Sequence, residues 1–85
     1  MKVLFEDRYG RHRELADVQT KQEVNKTIVD FLNKYNFKSY YTRNWVHETK
    51  DGQWHVMYDV GSHSEFFCVI FETHDDAVKF LHEQV

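Results

Sequence analysis

The sequence predicts an α+β fold in the order β-β-α-β-β-β-α, a mainly antiparallel sheet with its helices packed on one face. Three observations lead there. Two stretches begin with a threonine followed three residues later by an acid, Thr20 with Glu23 and Thr73 with Asp76, and continue with apolar residues at helical spacing. Short runs rich in aromatic and β-branched residues precede and separate them. Turn-forming pairs, Tyr9-Gly10 and Asp51-Gly52, join neighbouring runs through connections too short for a parallel crossover.

The first element pair is a hairpin: Val3-Leu4-Phe5 and Arg13-Glu14-Leu15 flank "EDRYGRH", where Tyr9-Gly10 turns the chain. "TKQEVNKTIVDFLNKYN" follows as a helix. Thr20 and Glu23 form a capping box that satisfies orphan backbone N–H groups, and Val24, Ile28, Phe31, Leu32 and Tyr35 form one apolar stripe. Asn36 is suited to the left-handed conformation that ends it. "FKSYYTRNWVHET" and "WHVMYDV" then read as strands about Asp51-Gly52, the favoured pair for a two-residue type I′ turn. That turn would set Thr49 opposite Trp54, His47 opposite Val56, Trp45 opposite Tyr58 and Arg43 opposite Val60, all on the helix-packed face. On the second face it would set Val46 opposite Met57, Glu48 opposite His55 and Asn44 opposite Asp59. The last strand, "EFFCVIFE", is apolar on both faces. A connection through Gly61-Ser62-His63-Ser64 puts Phe67 opposite Tyr58 and Val69 opposite Val56, and leaves Phe66, Cys68 and Ile70 on the second face. "THDDAVKFLHEQV" closes the chain as a short helix whose leading acids suit the helix dipole.

With 85 residues, 41% hydrophobic and 16% aromatic, the chain can build one core, so residues 1–85 are expected to form a single domain. No apolar run approaches the roughly 20 residues that cross a bilayer, and "MKVLFED" turns acidic too early for a signal peptide. The single cysteine excludes an intramolecular disulfide and fits a reducing compartment, so a cytoplasmic location without membrane attachment is expected. The net charge is −3 with neutral histidines, basic over residues 1–13 and acidic over residues 65–85. That balance argues against a phosphate-binding surface, which gains affinity from a basic stripe.

Several residues carry candidate chemistry. In the loop "DVGSHSEFF", Asp59, His63 and Glu65 could ligate a metal or move protons, with Ser62 or Ser64 as a hydroxyl partner. The same loop also reads as a plain turn in which Gly61 takes positive φ and the serines bond nearby backbone. The turn reading is favoured: six histidines show no HExxH pair and no CxxC accompanies them, so no metal, cofactor or catalytic set is expected. In the type I′ register His47 and His55 point to opposite faces and cannot share an ion. Cys68 reads as a small hydrophobe, with nothing basic beside it in sequence. From Thr20 onward the order α-β-β-β-α matches that of double-stranded-RNA-binding domains, but those need basic residues where "THDDAVKFL" is acidic.

The stretches "EDRYGR", "FKSYYTRNW" and "DVGSHSEFF" resemble a set of small uncharacterised proteins encoded by bacteriophages and prophages of Gram-positive bacteria. The resemblance spans most of the chain and implies a small phage protein in the host cytoplasm that acts by binding a host protein. Together with the two-faced apolar last strand it leads to a non-enzymatic protein-binding module. Its expected contact surface is the second sheet face, Tyr40, Val46, Met57, Phe66, Cys68 and Ile70, engaging a host protein or a second copy of itself as a homodimer. The alternative is nucleic-acid binding through Arg8, Arg11, Arg13, Lys38 and Arg43. A metal-dependent enzyme at Asp59, His63 and Glu65 is the third reading.

Overall fold

A computed structural model describes residues 1–35, 43–59 and 64–85. Its elements follow the expected order: β1 (Lys2–Glu6), β2 (His12–Asp17), α1 (Lys21–Lys34), β3 (Arg43–Glu48), β4 (Trp54–Asp59), β5 (Phe66–Phe71) and α2 (His74–His82). The five strands form one antiparallel sheet in the order β2-β1-β5-β4-β3. The N-terminal hairpin therefore widens the sheet. It does not lie over either face, and β5 becomes the central strand, which is one reason its sequence is apolar on both sides.

Both helices start as their sequences dictate. Thr20 accepts from the Glu23 N–H while the Glu23 carboxylate accepts from the Thr20 N–H, and Thr73 accepts from the Asp76 N–H. The helices pack on the same face of the sheet. Val24 and Ile28 of α1 and Ala77 and Phe80 of α2 bury Val3, Val56, Tyr58, Phe67 and Val69. Phe31 joins this core edge-on to Phe67, with ring centroids 5.3 Å apart, and lies 4.7 Å from Phe5. Lys21 ties the two helices together: its Nζ donates to the carbonyls of Phe80, Leu81 and Glu83, capping the C-terminal end of α2 with a cation. α1 ends by Tyr35; the expectation placed on Asn36 lies outside the described residues.

The two hairpins share one construction. The Gly10 N–H donates to the Asp7 carbonyl and the Asp7 N–H to the Arg11 carbonyl; Gly52 and Thr49 repeat this with the Thr49 carbonyl and the Gln53 carbonyl. Gly10 and Gly52 take φ of +79° and +83°. Each loop is thus three residues long, a turn followed by a left-handed glycine.

That loop corrects the expected register of β3 with β4. Three loop residues instead of two pair Glu48 with Trp54, His47 with His55, Val46 with Val56, Trp45 with Met57, Asn44 with Tyr58 and Arg43 with Asp59. A slip of one residue turns every β3 side chain to the other face. Val46, expected on the second face, packs into the helix-covered core, while Trp45 and His47 move to the second face. His47 and His55, expected on opposite faces, are direct cross-strand neighbours. The β4–β5 register is as expected, with Tyr58 opposite Phe67 and Val56 opposite Val69.

Candidate functional site

Among the described residues, no helix or further strand lies on the second face, which we call the open face. The registers arrange it in rows. One row crosses all five strands as His12, Glu6, Phe66, Asp59 and Arg43. The next runs Glu14, Leu4, Cys68, Met57 and Trp45. A third places Ile70 beside His55 and His55 beside His47.

The open face is not evenly exposed. Leu4, His55, Met57 and Cys68 are buried, whereas Trp45, Phe66 and Ile70 remain partly exposed. Trp45 and Phe66 meet edge to face at 6.0 Å, and the Arg43 guanidinium lies 5.0 Å from the centre of the Trp45 ring. Of the six residues expected to form a binding surface, then, Phe66 and Ile70 can meet a partner directly. Met57 and Cys68 form the floor beneath them, Val46 belongs to the core, and Tyr40 lies outside the described residues. Trp45 is the surface residue that sequence reasoning missed.

On the other side of Cys68 the open face is polar. The His12 Nε2–H donates to Glu6 Oε1 at 2.7 Å, with His12 41% and Glu6 25% exposed. Donor atoms of Glu6, His12 and Cys68 all lie within 4.8 Å of one another. The His55 ring stands 6.2 Å from that of His12, so side chains from the outer rows converge across the middle one. His55 is 5% exposed, and its Nε2 has no hydrogen-bond partner among the described residues. Burial, and then the charges of His12 and His47, hold His55 below the ordinary imidazole range, with Glu6 pulling weakly the other way. Burial pushes the Cys68 thiol up to about 12, with the nearby Glu6 carboxylate adding to it. An uncharged thiol at that position is a poor nucleophile by itself.

The other candidate sets are dispersed. Gly61, Ser62 and His63 of the quoted loop lie outside the described residues; Ser64 is exposed and takes a left-handed φ of +63°. Asp59 faces Arg43 across the strands at 3.5 Å, and Glu65 is half-buried. Of the basic residues, Arg8 is exposed, Arg11 is held by Asp7 at 2.8 Å, and Arg13 donates to the Tyr35 hydroxyl at 3.3 Å. Those three belong to the first hairpin, while Arg43 lies on β3 at the opposite edge of the sheet. Lys38 lies outside the described residues. The four described ones make no continuous stripe of the kind that tracks a phosphate backbone.

Among the described residues, no helix is long and apolar enough to cross a membrane. In comparisons with known proteins, no family model, curated protein or solved structure matches this chain.

Proposed function

We propose that the protein is a non-enzymatic binding module that associates with a second copy of itself through the open sheet face. One observation carries this reading: Trp45, Phe66 and Ile70 stay partly exposed together on a face that no described element covers. The same face presents both signs, with Lys2 beside Glu14 at 3.7 Å and Arg43 beside Asp59 at 3.5 Å. A mixed surface of this kind matches a copy of itself better than it matches a strongly charged foreign one. The resemblance to small phage-encoded proteins supplies the setting, a cytoplasmic protein acting by contact.

Light scattering on the wild type and on Phe66→Asp tests this. A wild-type dimer that becomes a folded monomer on Phe66→Asp, with the far-ultraviolet dichroism unchanged, is the expected result. A wild-type monomer overturns self-association and leaves the face to a foreign protein.

A further inference from the structure

We propose that Glu6, His12 and Cys68 form a binding site for a divalent metal ion of the zinc class, with His55 beside it as the source of a fourth donor. The carboxylate, imidazole and thiol come from β1, β2 and β5, and the sheet registers bring their donor atoms within 4.8 Å of one another. Zinc bonds of about 2.0–2.3 Å set tetrahedral donors about 3.3–3.8 Å apart. The outermost pair must therefore close by about 1 Å, within reach of rotations of the partly exposed Glu6 and His12 side chains.

A cross-strand ion pair accounts for the 2.7 Å contact between His12 and Glu6 and for nothing else in the cluster. It leaves the buried His55 Nε2 without a partner, although buried polar side-chain atoms nearly always have one. It also leaves unexplained why a thiol forms the floor beneath two polar side chains. An ion answers both. It takes the place of the hydrogen between His12 and Glu6: His12 offers Nε2 as a neutral imidazole with its one hydrogen on Nδ1, and the thiol proton leaves to solvent. The donor mix selects the metal class: sulfur and nitrogen beside one oxygen suit zinc or cobalt, whereas calcium and magnesium require oxygen sets. The exposed edges of His12 and Glu6 are the way in. All three donors come from one chain, toward the β2 edge and away from Trp45 near the β3 edge, so the site needs no residue of a second copy.

The test is titration of the reduced, chelator-treated protein with cobalt(II), followed by zinc competition, for the wild type, His12→Ala, Glu6→Gln and Cys68→Ala. The expected result is one cobalt per chain with a thiolate-to-cobalt charge-transfer band in the near ultraviolet, lost on adding zinc. His12→Ala changes an exposed residue on an edge strand and so keeps the fold, as dichroism will check. It should weaken binding by more than the roughly ten- to hundredfold that loss of an outer-shell partner costs. Absence of the charge-transfer band at saturating cobalt overturns the proposal. So does a band whose affinity is unchanged in both His12→Ala and Glu6→Gln. Should Cys68→Ala fail to fold, the band in the wild type and the affinity of His12→Ala decide the matter.

Discussion

The two faces of the sheet reach burial by different means. On the helix face Val3, Val56, Phe67 and Val69 are fully buried beneath two helices, packed with Val24, Ile28, Ala77 and Phe80. On the open face Leu4, His55, Met57 and Cys68 fall to 8% exposure or less with no described element above them. There the cover includes residues of the sheet itself, Trp45 against Phe66 at one side and His12 with Glu6 at the other. A face roofed by its own side chains can keep a histidine and a thiol within reach of groups that enter from solvent, and this one does.

The largest effect should come from the helix-packed side. Phe67→Ala removes a fully buried ring that meets both Phe5 and Phe31, and a loss of about 3–5 kcal/mol is expected from the urea unfolding midpoint. For a domain of this size that is a large share of the total stability. Met57→Ala makes the corresponding change on the open face. Its roof consists of side chains that can settle into the gap, so the loss should be near the low end of the range for such truncations, about 2 kcal/mol. A loss below about 0.5 kcal/mol would reduce the open face to ordinary surface and erase the contrast.

How far each face was legible in the sequence follows from local chemistry. Both helices were readable because Thr20, Glu23, Thr73 and Asp76 are capping residues with one main use. The β4–β5 register was readable because Val56, Tyr58, Phe67 and Val69 agree on a single face. β3 was not. Asp51-Gly52 suits both a two-residue and a three-residue loop, and Trp45-Val46 puts an apolar side chain on each face, so hydrophobic alternation could not arbitrate. The Glu6, His12 and Cys68 cluster was hidden for a further reason. It joins three strands, and nothing in the local pattern says that β1 pairs with β5. The one signal available was cross-strand: a three-residue loop ending at Gly10 sets Glu6 against His12.

The hairpin loops give a smaller effect that sharpens the same contrast, because they decide which side chains each face receives. A Cβ at Gly10 or Gly52 meets nothing within 4 Å, so Gly10→Ala and Gly52→Ala should each cost only the conformational penalty of positive φ, about 1 kcal/mol. Asp51→Gly separates the two possible turns. In a type I′ loop Asp51 would also need positive φ and glycine would stabilise the protein. In the observed loop Gly52 alone takes positive φ, so Asp51→Gly should destabilise by a few tenths of a kcal/mol to about 1. A gain in thermal midpoint for Asp51→Gly would restore the two-residue turn and send Trp45 and His47 back to the helix face.

The smallest effect is an acid-side loss that belongs to the open face alone. His55 is held below its ordinary value of 6.5, chiefly by burial, so the unfolded chain accepts a proton that the folded chain resists. This contribution to stability is whole above about pH 6.5 and is lost as the pH falls below it, until the folded imidazole also titrates. His55→Phe replaces the ring by an apolar one of similar shape. In chelator-treated protein it should flatten that part of the stability profile and leave the protein at least as stable at neutral pH, because an unpartnered buried nitrogen goes with it. On the helix face no described residue invites the same experiment, since its buried set is apolar apart from the Tyr58 hydroxyl. If His55→Phe keeps the acid limb of the wild type, the sensitivity lies elsewhere, and His55 is already protonated or partnered in solution. That result would remove the polar floor from the open face and leave the two faces differing only in what covers them.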